Sequence, residues 1–247
     1  MFQIQLPPTP LDLSGFSKPG QTTFAPTVKN QPSTPTNVAQ SPNFGNVQLN
    51  ANQETYKQAL LKSDPDLYNK FNEIDPTLLD FLISNSFAMG IDPKLILSSV
   101  DAETGGYSAE QMKKIVSSAG AAGINQVMKV TYDHVMKLID AGTAKLPPGV
   151  SKEDLASYQT NPKANLIVSM IYLRDAVVPE VKKMPGMENI DIKNLSPEQI
   201  GKILGAYNQG PYGFRESGGA NNSETRNHIE KTTQFARNLT QNLVATA

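Results

Sequence analysis

Five times after residue 60 a capping side chain stands immediately before a proline: Asp64-Pro65, Asp75-Pro76, Asp92-Pro93, Asn161-Pro162 and Ser196-Pro197. A short polar side chain accepts from the free amides of a first helical turn, and proline fits that turn because its missing N–H would have no partner there. Each pair therefore predicts a helix start, and Gln199, three residues after Ser196, completes a capping box. Apolar spacing agrees. Leu78, Leu79, Leu82, Ile83 and Phe87 share a helical face, as do Leu166, Met170, Leu173 and Val177, and again Ile229, Ala236, Leu239 and Leu243. No period-2 run of β-branched residues follows residue 50, so the body is expected to be mostly α. Loops are expected at 105–108, 142–150, 184–194 and 210–222.

Residues 1–50 differ in kind. They hold eight of the 18 prolines and three charged residues among many Thr, Asn, Gln and Ser. Such a segment buries too little apolar surface to fold alone and reads as an extended arm. Phe2, Ile4, Leu6, Leu11, Leu13, Phe16, Phe24 and Phe44 could anchor it on another surface. The division is thus an arm over 1–50 and a helical domain over 51–247.

Composition narrows the function. A formal charge of −1 gives no reason to expect nucleic acid as the main partner. The absence of Cys excludes disulfides, thiolate catalysis and Cys-ligated metals. His134 and His228, the two histidines, lie far apart and read as packing or surface residues, so no metal site is expected. The start, Met-Phe-Gln-Ile-Gln-Leu-Pro-Pro, lacks the basic and apolar blocks of a secretory signal, and no apolar stretch reaches membrane-spanning length. A soluble protein is expected, unless a route other than general secretion carries it out.

The helix predicted from Asp92 to Gly106 carries the chemistry. Ile96, Val100 and Glu103 fall at i, i+4 and i+7, so the carboxylate continues the stripe that faces the core. Asp101 projects about 200° away at about 100° per residue and is expected to face solvent. An inward carboxylate in a last turn is driven toward its protonated form by apolar surroundings and by the negative end of the helix dipole, which suits a general acid. A buried Glu with a structural hydrogen bond is the plainer reading. Downstream, Ser117-Ser118-Ala119-Gly120-Ala121-Ala122-Gly123-Ile124-Asn125-Gln126-Val127-Met128 lets the backbone approach a helix or a ligand. Ala206-Tyr207-Asn208-Gln209-Gly210-Pro211 ends a helix with a Tyr able to reach a buried carboxylate or simply to fill the core. Glu224-Thr225 opens the C-terminal helix, where an acid suits the dipole regardless of function.

In order and spacing these blocks resemble the lytic transglycosylase family with the goose-lysozyme-like catalytic domain. That family shows an aliphatic helix ending in Glu-Ser, then Ser-x-x-Gly-Ala-x-Gly-Leu-Met-Gln-x-Met-Pro, then Asn-Pro-x-x-Asn-Ile with Tyr-Leu, then Ala-Tyr-Asn-Ala-Gly-Pro, and finally Glu-Thr. The matching positions are Glu103 and Thr104; Ser117, Gly120, Ala121, Gly123, Gln126 and Met128; Asn161, Pro162, Asn165, Tyr172 and Leu173; Ala206, Tyr207, Asn208, Gly210 and Pro211; Glu224 and Thr225. The chain departs from the pattern at Thr104 for Ser, Asn125 for Met, Lys129 for Pro, Met170 for Gly, Gln209 for Ala and His228 for Tyr, with a longer gap that suggests extra loop near Glu110.

The resemblance implies a lysozyme-like helical domain that cleaves the β-1,4 bond between N-acetylmuramic acid and N-acetylglucosamine in peptidoglycan, leaving a 1,6-anhydro end and using no cofactor. It implies Glu103 as the single catalytic acid and base. Ser117 would orient the acetamido or 6-hydroxyl region, Gln126 and Met128 would line sugar subsites, and Tyr207 would aim Glu103. Thr104 takes the place beside the acid, Asn208 would fix the local turn, and Glu224 would support the groove floor or touch the glycan. With no export signal and an arm suited to docking, the expectation is a bacteriophage virion component that opens the cell wall during genome entry, with residues 1–50 bound to another virion protein. A muramidase of a secretion machine, a lysozyme-type hydrolase and a structural virion protein with little turnover are the alternatives.

Overall fold

In the computed structural model, residues 44 and 48–246 are described. They form α1 (Ala51–Ser63), α2 (Pro65–Ile74), α3 (Leu78–Ala88), α4 (Pro93–Thr104), α5 (Ala109–Lys114), α6 (Lys129–Asp140), a 3₁₀ turn (Glu153–Ser157), α7 (Pro162–Tyr172), a π-helical turn (Leu173–Val177), α8 (Val178–Val181), α9 (Pro197–Gln209), α10 (Pro211–Glu216) and α11 (Ser223–Val244). Among the described residues there is no strand, only isolated bridges pairing Val116 with Ala122 and Ala122 with Val127. The mostly-α body follows from the caps. Asp64, Asp92, Asn161 and Ser196 each accept from an amide of the helix they precede, and the Ser196–Gln199 capping box is formed.

Helix α4 lies at the centre. Every residue from Pro93 to Val100 is buried, because α3, α9 and α11 all pack against it. The enclosure takes in its polar side chains as well, Lys94, Ser98 and Ser99 among them. Helix α11 also lies along α9 and α1, and two α9 glycines allow the close approach: a Cβ on Gly205 would meet Ile229 at 2.6 Å, and one on Gly201 would meet Thr233 at 2.1 Å.

The structure corrects several local readings. Asp75 does not cap α3; its carboxylate accepts from the Thr77 amide and hydroxyl, both at 2.8 Å, and pairs with Lys163 at 3.0 Å, so the chain turns first and the helix begins at Leu78. The extra segment near Glu110 is helix α5, held by a Ser108–Gln111 capping box, and the loop over 210–222 contains α10. Asp101 is not solvent-facing: α11 covers it, with Lys231 Nζ 3.7 Å from its carboxylate, and burial raises its pKa while that cation opposes the rise. The expected arm lies mainly outside the described residues. Phe44, its described aromatic, meets Phe81 of α3 edge-on at 5.2 Å.

Candidate active site

Glu103 stands in the last turn of α4, on the stripe of the fully buried Ile96 and Val100. Its side chain is half-buried, and Oε1 is enclosed with no hydrogen-bond partner among the described residues. The helix stops just beyond, where the Gly105 amide closes on Asp101 O at 2.7 Å and Gly106 takes a φ of +94°. Lys231 reaches over this end and donates to the carbonyls of Asp101 and Ala102 at 2.8 and 3.4 Å. A cation at the negative end of a helix is favourable, and it stands one turn of chain from the candidate acid. Thr104, fully buried, donates back to Val100 O at 2.6 Å and so supports the helix end rather than a ligand.

The glycine-rich segment forms two successive tight turns. Ser117 closes the first: its amide donates to Ala121 O at 2.8 Å, its Oγ accepts from the Ala121 amide at 3.1 Å, and its carbonyl accepts from Gly120, which takes a φ of +83°. The paired backbones of Ala122 and Val127 close the second. Inside it Gln126 adopts φ +44°, the one non-glycine with positive φ among the described residues, and its carboxamide donates to Gly123 O at 2.9 Å. Strained backbone of this kind persists where its surroundings hold it, and it concentrates at functional sites. Met128, half-buried, then provides the cap position of α6.

What holds the second turn is Asn165 of α7. Its Oδ1 accepts from the Asn125 amide at 2.9 Å, while Nδ2 donates to Ala122 O at 2.8 Å and to Tyr158 O at 3.0 Å. A Cβ on Gly123 would meet that Nδ2 at 2.5 Å, so glycine is required by contact as well as by its φ of +75°.

Tyr207 of α9 arrives from the other side. Its hydroxyl donates to Asn125 O at 2.9 Å, and burial first, then the Glu103 charge, pushes its pKa well above the ordinary tyrosine value. The phenol thus stays protonated as a firm donor beside a carboxylate. Tyr172 packs edge-on to Tyr207 at 5.9 Å and to His134 at 5.9 Å, and this aromatic ladder leads to a shallow depression bordered by His134, Tyr172, Ala176, Pro211 and Tyr212. Asn208 Oδ1 accepts from Thr225 Oγ1 at 3.1 Å and joins the end of α9 to the start of α11. Glu224 sits half-buried in the first turn of α11.

Glu103, Tyr207 and the loop bearing Gln126 are therefore brought into one neighbourhood, whereas Thr104 and Asn208 work as internal braces. Sequence reasoning gave no role to Asn165 or Lys231. The Asn165 motif position was visible, but nothing in local spacing marks a bond that spans 40 residues, or the 130 that separate Lys231 from Asp101. Among the described residues no group of three or more His, Asp or Glu is placed to hold a metal ion, and no helix is long and apolar enough to cross a membrane. No family model, curated protein or solved structure matches the chain.

Proposed function

We propose that this protein is a peptidoglycan lytic transglycosylase built on a lysozyme-like, goose-type helical domain. The observation that carries the reading is Glu103: one carboxyl group, half-buried on a core-facing stripe, with an enclosed unpartnered oxygen beside a protonated tyrosine. Most glycosidases need two carboxylates, but one suffices when the substrate supplies the nucleophile.

In the proposed reaction Glu103 donates its proton to the glycosidic oxygen as the C1–O bond breaks, and the 2-acetamido carbonyl of the muramic residue stabilises the charge developing at C1. The Glu103 carboxylate then takes the proton of the same sugar's 6-hydroxyl, whose oxygen closes on C1 to form the 1,6-anhydro ring. Glu103 ends as it began, and no water is consumed. The tight turn over Ser117–Ala121 and the strained Gln126 border the sugar-binding face, and Tyr207 fixes the loop against which the sugar lies.

Digestion of purified peptidoglycan tests this. The expected muropeptides are lighter by one water than hydrolytic products; reducing ends would establish a lysozyme-type hydrolase instead. We further propose that the chain is carried in a phage particle and docks through residues 1–50. Deleting them is expected to abolish incorporation into the particle while activity on isolated cell wall remains. Thr104, Gln126 and Asn208 all place polar groups in internal bonds, which favours a scaffold with little turnover as the second reading. A zymogram without a cleared band would decide for it.

A further inference from the structure

Asn125 is where the glycine-rich loop is gripped from two sides, its amide donating to Asn165 and its carbonyl accepting from Tyr207, both at 2.9 Å. Its carboxamide takes no part in this. The residue is 0% exposed, yet neither Nδ2 nor Oδ1 has a partner among the described residues. Buried side-chain amides are nearly always satisfied, so each exception calls for a cause. Three further orphaned oxygens lie on α4, at Ser98, Ser99 and Glu103, and of these Ser99 Oγ stands one turn before Glu103 Oε1 on the same face. Tyr207 ties Asn125 to Glu103, because its hydroxyl donates to the Asn125 backbone carbonyl and the Glu103 charge bears on it. A buried water needs two to four polar partners, and a donor–acceptor amide, a hydroxyl and a carboxyl oxygen supply them.

Resting on the reading of Glu103 as the acid, we propose that Asn125 is a positioning residue: together with Ser99 it holds an ordered water that hydrogen-bonds Glu103 Oε1 from the core side. The carboxyl group is then fixed in one rotamer, with its other oxygen free for the sugar. This explains a departure from the family pattern, since the methionine usual at this position has no group that could hold such a water. The device belongs to this chain.

A crystal structure of the full chain, at a resolution that shows ordered solvent, reads the proposal directly. One water in hydrogen-bond contact with both Asn125 and Glu103 is expected, and its absence overturns the inference. Asn125→Leu adds a functional readout. Its kcat is expected to fall by about tenfold to a hundredfold, the effect of a misplaced catalytic group, with KM within about twofold and a melting temperature no lower than that of the unmodified chain. A folded Asn125→Leu with unchanged kcat overturns the inference; should that variant not fold, the solvent structure of the unmodified chain decides. A chain that holds the water but leaves peptidoglycan intact retires the proposed reaction and keeps the hydration site. An active chain without the water retires this inference alone.

Discussion

The two ends of α4 bury polar groups in opposite ways. At the first turn Asp92 and Lys94 are almost wholly enclosed, and both are satisfied: the Asp92 oxygens accept from the amides of Lys94 and Leu195 at 3.0 and 2.9 Å, and Lys94 Nζ lies 3.4 Å from Asp92 and donates to Leu195 O at 3.0 Å. In the last two turns Ser98, Ser99 and Glu103 each present a buried oxygen without a partner among the described residues. A satisfied buried pair pins one element to another. An unsatisfied group costs stability and is kept for what it can do. The first end of the helix is therefore read as anchorage and the second as chemistry.

The sharpest way to break this comparison is Glu103→Gln, which removes the acid and keeps the shape. Cleavage of peptidoglycan is expected to fall by about a thousandfold, within the range of a lost general acid, while the melting temperature stays level or rises. Turnover near that of the unmodified protein would end the functional reading of that end. At the other end Lys94→Met leaves Asp92 buried without its cation, and denaturant melts are expected to show a loss of about 3–5 kcal/mol with specific activity kept in the folded fraction. Burial, opposed by Lys94, already holds the Asp92 carboxyl above its ordinary value of 3.8. Without Lys94 it rises further, so the folded state binds the proton more tightly than the unfolded state does. The added instability should be small below pH 3.8 and grow as pH rises through the folded-state pKa.

A smaller effect is expected from Gly123→Ala, which forces a side chain into a left-handed turn already closed by Asn165. A loss of about 2 kcal/mol should come with lower activity, because the loop facing Glu103 shifts. Equal activity at reduced stability would separate that loop from the site. Smallest is the response of His134, whose pKa is lowered by burial and then by Lys137. Its neutral form is favoured in the fold, so its contribution is present above the ordinary value of 6.5 and lost as pH falls from there through the folded-state pKa. Melting temperatures between about pH 7.5 and 5 should drop less in His134→Gln than in the unmodified chain.

Much of the frame was legible because its causes are local. Asp92-Pro93 starts a helix and Gly105-Gly106 ends it, whatever surrounds them, and the spacing of Ile96, Val100 and Glu103 turns the carboxylate inward. The same local logic failed where a distant partner intervened. Asp75 found Lys163 as well as its neighbour Thr77, and Asp101, placed on the outer side by helical geometry, was covered by Lys231.

By itself, then, the sequence determined that the body is helical, where four of its helices begin, and that one acid lies on the inner face of a central helix. These depend on backbone dihedrals and on side-chain periods of a few residues. Only the tertiary structure decided that Asn165 pins the loop at Gly123, that the Tyr207 hydroxyl donates a hydrogen bond to Asn125 O across 82 positions, and that Lys231 closes the end of α4. Such pairings depend on where helices cross and how closely they approach, which is a property of the packed core and is written in no single segment of the chain.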